Sequence, residues 1–91
     1  GLKAGLTSQA KMRQMNVTEP VFGFLTDQGA YPDGGEVPFD KFIAPRIEAE
    51  IALVTHTELR GPGCHLAQVL AATDFVLPAV EILDSRYRDF K

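Results

Sequence analysis

Two glutamates two residues apart, Glu48 and Glu50 in the stretch IEAEIALV (47–54), are the residues of this chain best suited to chemistry. Carboxylates are costly in an apolar strand because burial disfavours their charged form. Residues two apart on a strand share a face, so both acids project alongside Ala52 and Val54, while Ile47, Ala49, Ile51 and Leu53 point the other way. Like charges held about 6–7 Å apart on a partly apolar surface repel, and a cation between them makes the arrangement favourable. A third acid, Glu81, lies between Val80 and Ile82 in a second apolar run. Three carboxylates are hard donors that suit octahedral Mg²⁺ or Mn²⁺ and leave positions for water or substrate. The ordinary alternative stays open: E-x-E on a strand is most often one solvated face, and the sequence alone does not make the two runs neighbours.

Other residues carry weaker signals. Lys3, in LKAGLTS with Gly5 permitting close backbone approach by another group, poses a smaller version of the same question, and the reading the residues favour is a surface lysine lying along a strand. His56 and His65 flank the loop THTELRGPGCH without a spaced partner and are read as loop or helix-end polar residues. Cys64 is the single cysteine, which excludes an intrachain disulfide and a Cys-x-x-Cys knuckle; it is expected as a small buried or half-buried residue without chemistry. Asp84 and Arg86 in DSR are expected to form a local or buried ion pair. RYRDF is too mixed in sign for a binding patch.

The elements that must position these residues follow from periodicity. LKAGL (2–6) reads as a short extended segment and TSQAKMRQM (7–15) as a helix capped by Thr7 or Ser8, with Met12 and Met15 on one side. PVFGFL (20–25) is again extended, and TDQGAYPDGGEVP (26–38) is dense in turn residues. IEAEIALVT (47–55) is the longest strand, RGPG punctuates, and HLAQVLAAT (65–73) is a short helix. Pro78 is expected to separate that helix from a last strand, AVEILDSR (79–86). Repeats and low-complexity segments are absent. Strands that do not alternate with long helices favour a β-rich α+β arrangement over a doubly wound parallel sheet.

The 91 residues, 45% hydrophobic and 23% charged, have the balance of an ordinary globular domain. No apolar stretch approaches the roughly 18 residues of a membrane helix, and a cytoplasmic location without membrane contact is expected. A net charge of −3 with scattered basic residues argues against nucleic acid as a partner. The opening at Gly1 without Met and the dense last segment suggest that the chain is part of a longer one.

LKAGLTS, PVFGFL, PRIEAEIALV and LPAVEILDSR, in this order, resemble the fumarylacetoacetate hydrolase superfamily. Within it they are most similar to the branch of hydratases and decarboxylases that act on 2-oxo acids of aromatic meta-cleavage catabolism. GLKAGLTSQAKMRQM and GPGCHLAQVLAATDFVLPAVEILDSRYRDFK look most like the decarboxylase side. The resemblance implies a mixed sheet or β-roll of that superfamily's type, with residues 1–91 forming part of one catalytic domain. An N-terminal helical segment and the C-terminal half of the fold are expected outside it.

The resemblance implies that Glu48, Glu50 and Glu81 ligate Mg²⁺ or Mn²⁺. Lys3 matches the lysine of the family's K-x-G-L-T-S motif, with Ala4 where many hydratases carry Ile. Asp27 matches an acid that partners the lysine, and Ser8 a contact to substrate carboxylate. The implied reaction is metal-dependent loss of CO₂ from a 2-oxo dicarboxylic acid, 2-oxo-3-hexenedioate, giving 2-hydroxypenta-2,4-dienoate. The alternatives are a hydratase acting on that product, an acylpyruvate hydrolase, and a non-catalytic scaffold for such an enzyme. The resemblance also implies a homo-oligomer, in complex with the pathway hydratase.

Overall fold

A computed structural model describes residues 1–90. Helices and antiparallel strands make the chain α+β, and it divides into two compact units, Gly1–Val37 and Pro38–Lys91.

The first unit is built on strands β1 (Leu2–Gly5) and β2 (Val21–Phe24), joined through helix α1 (Gln9–Gln14). They pair antiparallel, with Lys3 opposite Gly23 and Gly5 opposite Val21. A Cβ on Gly5 would stand 3.2 Å from Val21 Cγ2, so the bare backbone makes room for the valine opposite. The reciprocal bonds Leu25 N–H to Gly1 O (2.7 Å) and Gly1 amino group to Leu25 O (2.6 Å) extend the ladder. Ser8 caps α1, its side chain accepting from Lys11 N–H at 3.1 Å. At the other end Asn16 enters the left-handed region (φ 55°). Val17 N–H then reaches Met12 O (2.9 Å) and Asn16 N–H reaches Arg13 O (3.2 Å), the Schellman arrangement that stops a helix. The turn-rich segment contains a 3₁₀ turn over Asp27–Gly29 and a tight turn closed by Gly35 N–H to Pro32 O at 2.9 Å, with Gly34 at φ 75°.

The second unit is a longer ladder of β3 (Arg46–Thr55) and β4 (Thr73–Leu83), also antiparallel. Helix α2 (Leu66–Ala72) runs into β4 without a linker. Its start is held by His65 N–H to Gln68 Oε1 (2.9 Å) and its end by Thr73 Oγ1 donating to Val69 O (2.6 Å). The ladder pairs Arg46 with Leu83 and runs to Val54 opposite Phe75; Thr55 then pairs with Thr73, leaving Asp74 as the extra residue of a bulge.

Two expectations change here. Pro78 does not separate helix from strand: β4 runs through it, opposite Ile51. A two-stranded ladder has outward N–H positions where a proline removes no bond. Cys64 is exposed rather than buried or half-buried, lying in the irregular segment between β3 and α2 rather than in a strand or helix.

Among the described residues the buried apolar core is Ala72 alone, 4% exposed, while Ile47 (76%), Ile51 (73%) and Val80 (68%) leave one face of the β3/β4 ladder open. No helix among the described residues is long and apolar enough to cross a membrane.

Candidate metal centre

The other face of the β3/β4 ladder carries the acids. The register sets Glu48 directly opposite Glu81 and Glu50 opposite Ala79, and cross-strand partners share a face. Sequence alone gave the common face of Glu48 and Glu50; the pairing supplies the third acid. One carboxylate oxygen from each of the three lies within 4.8 Å of the others, with Glu48 exposed and Glu81 half-buried. The alanines Ala79 and Ala52 beside them are small and leave the space over the sheet to the longer acids.

Like charges directly opposite one another destabilise an antiparallel pair, so the ladder opposes Glu48 to Glu81 at a cost that a cation removes. The spacing fits. Oxygens bound to one octahedral Mg²⁺ stand about 2.9 Å apart when adjacent and about 4.2 Å when opposite, a small inward rotation from the observed spread. An all-carboxylate donor set is chemically that of a hard divalent ion.

Charges at the near end of the ladder are arranged around this cluster. Arg46, on the same face as Glu48, carries its guanidinium over the Phe90 ring, 3.8 Å from the centroid. Asp84, just past β4, does not follow the expected pairing with Arg86. Its Oδ2 accepts from Ile43 N–H at 2.7 Å, and its Oδ1 from Ala44 N–H at 2.9 Å and Ser85 N–H at 2.8 Å. These donors, Ile43 first and then Ala44, hold the Asp84 carboxyl below the usual aspartate range. Sequence reasoning missed this role, since the two cross-strand donors lie 41 and 40 residues away.

The remaining candidates belong to the first unit. Lys3 is half-buried in β1, its stem passing Gly23, where a Cβ would come within 3.9 Å of Lys3 Cγ. Ser8 is the α1 cap; accepting from Lys11 leaves its hydroxyl hydrogen to be donated. Asp27 is exposed and opens the 3₁₀ turn, its carbonyl accepting from Ala30 N–H at 3.1 Å. His56 and His65 lie, as expected, just past β3 and at the start of α2.

No family model matches the chain. It is 63% identical over 91 residues to a 4-oxalocrotonate decarboxylase of Pseudomonas sp. (strain CF600), which covers 100% of this chain and 34% of that protein. It is 48% identical over 86 residues, 94% of this chain and 32% of the relative, to a 2-oxo-hept-4-ene-1,7-dioate hydratase of Escherichia coli. In three dimensions it matches the 4-oxalocrotonate decarboxylase of Pseudomonas putida G7, complexed with magnesium and adipate. That match has a TM-score of 0.86 and 59% identity, covering 100% of this chain and 35% of the other. The chain thus spans about a third of the length of the curated relatives it matches. The segments from LKAGLTS to DSR thus all fall within the match to the CF600 decarboxylase, whose identity of 63% exceeds the 48% to the Escherichia coli hydratase.

Proposed function

We propose that this chain supplies the metal-holding part of a 4-oxalocrotonate decarboxylase, a carboxy-lyase that converts 2-oxo-3-hexenedioate to 2-hydroxypenta-2,4-dienoate and CO₂ in aromatic meta-cleavage catabolism. The observation that carries this reading is the convergence of Glu48, Glu50 and Glu81 from two paired strands, in a chain 63% identical throughout to such an enzyme. Both units are then parts of one catalytic domain of the fumarylacetoacetate hydrolase type.

In this reading Glu48, Glu50 and Glu81 are the ligands of Mg²⁺ or Mn²⁺. The bound ion supplies Lewis acidity toward the 2-oxo acid, drawing electrons to the ketone oxygen. The C5–C6 bond breaks, CO₂ leaves, and its electron pair passes through the C3=C4 double bond to the C2 oxygen, which takes up a proton. Lys3, as an ammonium, steadies the carboxylate and the negative charge spread along the chain by a charge-assisted hydrogen bond. Asp27 partners Lys3. Ser8 donates its free hydroxyl hydrogen to a substrate carboxylate. These three roles are supported by the match to the K-x-G-L-T-S motif and the segment after FGFLT.

Full-length enzyme with Mg²⁺ and 2-oxo-3-hexenedioate is expected to release CO₂. The second reading, a hydratase, is favoured by the 48% identity to the Escherichia coli enzyme; water addition to 2-hydroxypenta-2,4-dienoate without CO₂ release would select it. A non-catalytic scaffold would not bind the ion and would give no heat on titration with Mn²⁺ in calorimetry. The reading extends to a cytoplasmic homo-oligomer working beside the pathway hydratase, which size measurement of the two proteins mixed and apart would check.

A further inference from the structure

We infer that Asp84 is a positioning residue for the metal site: its carboxylate ties the segment entering β3 to the residue leaving β4, and so holds Glu48 opposite Glu81 before any cation arrives. The inference rests on the metal reading above and concerns a residue outside the ligand set.

The β3/β4 ladder has two unlike ends. At the far end the chain is continuous through α2, and His56 N–H donates to Ala72 O at 2.9 Å. At the near end no turn joins the strands: the chain enters through Ile43 and Ala44 and leaves through Asp84, with Arg46 and Leu83 as the last pair. Glu48 and Glu81 are only the third pair from that open end. Strand ends fray most readily, and two opposed carboxylates add a force that pries this one apart.

Asp84 answers that force. Through Ile43 (2.7 Å) and Ala44 (2.9 Å) it adds two cross-strand hydrogen bonds just beyond the last ladder pair, both to an ionised acceptor and therefore of the stronger kind. A third, from Ser85 N–H at 2.8 Å, fixes the carboxylate against its own backbone. Asp84 thus does for the open end what α2 does for the closed one. It makes no contact with the ion and acts through the spacing of the three glutamates.

The test uses Mn²⁺ alone as the probe, with the full-length protein, read by the electron paramagnetic resonance signal of free Mn²⁺ at a temperature where circular dichroism reports a folded chain. Asp84→Ala is expected to weaken Mn²⁺ binding about tenfold, as loss of a group supporting metal ligands typically does. Asp84→Asn should fall between Asp84→Ala and wild type. Its remaining oxygen can accept from Ala44 and Ser85, but its NH₂ confronts Ile43 N–H. In turnover, the metal concentration for half-maximal rate should rise by the same factor, the deficit shrinking as metal is raised; general damage to the fold would lower the rate equally at every metal concentration. Wild-type affinity in either folded variant overturns the inference, and Asp84→Asn decides alone should Asp84→Ala not fold. Absence of Mn²⁺ binding in the wild type overturns the metal reading and this inference together, whereas tight wild-type binding with unchanged variants overturns this one only.

Discussion

Each unit of the chain rests on one antiparallel ladder, but the two ladders handle charge in opposite ways. β1/β2 has four pairs and sets Lys3 across from Gly23, so its one charged residue is not opposed to a like charge. β3/β4 has ten pairs and sets an acid across from an acid. A short ladder interleaved with glycine is enough to display one lysine. A ladder that opposes Glu48 to Glu81 has to be long, tied through α2 at one end and by Asp84 at the other.

Removing a ligand should break the contrast most severely. Glu50→Gln is expected to cut turnover by more than about a hundredfold, since losing even a supporting group costs 10–100-fold. Circular dichroism should remain that of the wild type, and near-normal activity would remove Glu50 from the ligand set. Next in size is the effect of the ion on stability. At a Mg²⁺ or Mn²⁺ concentration about 100 times Kd, thermal or urea unfolding should report about 2.7 kcal/mol of added stability, absent in Glu50→Gln. Without metal, Glu48→Gln should unfold later than wild type, by up to about 1 kcal/mol, because it removes one of two opposed charges. A less stable metal-free Glu48→Gln would mean that the opposition carries no strain.

The first ladder offers a sharper separation of roles. Ser8→Ala should cost about 1 kcal/mol of stability through loss of the α1 cap. Ser8→Asp keeps the cap but brings a negative charge and no donor toward the substrate, so it should melt like wild type and turn over slowly. Equal turnover in the two would leave Ser8 as a cap alone. The smallest effect is expected from pH. The Asp84 carboxyl titrates below the usual aspartate range in the folded chain, so its stabilisation is complete above the unfolded value and is lost as pH falls through the lower folded one. Between about pH 5 and pH 3, Asp84→Asn should therefore lose less stability than wild type in acid titrations followed by fluorescence or circular dichroism.

What could be read from the letters was what depends on near neighbours. The alternation in IEAEIALV placed Glu48 and Glu50 on one face, and both helices, with a cap at Thr7 or Ser8 that the structure assigns to Ser8, followed from local spacing. What escaped depends on partners far along the chain. Pro78 suggests a break until the ladder offers it an outward position, and Asp84 suggests a bond to nearby Arg86 until Ile43 and Ala44 arrive with better-placed donors. The convergence of Glu81 with the other two acids is of the same kind. It is a matter of register, which alternation within one strand leaves undetermined.

The bulge at Asp74 has a consequence for the third glutamate. Before that surplus residue, pairing follows Thr55 with Thr73; after it, every partner on β4 is displaced by one. Were the Thr55–Thr73 register carried on with Asp74 paired opposite Val54, Glu48 would meet Val80, and Glu81 would come to rest against Ile47 with its carboxylate on the reverse of the pleat. A single amino acid left out of the pairing at the far rim thus works as a half-step in the weave, and drawing Asp74 into the ladder opposite Val54 should leave two acids on the working side and turn the third away.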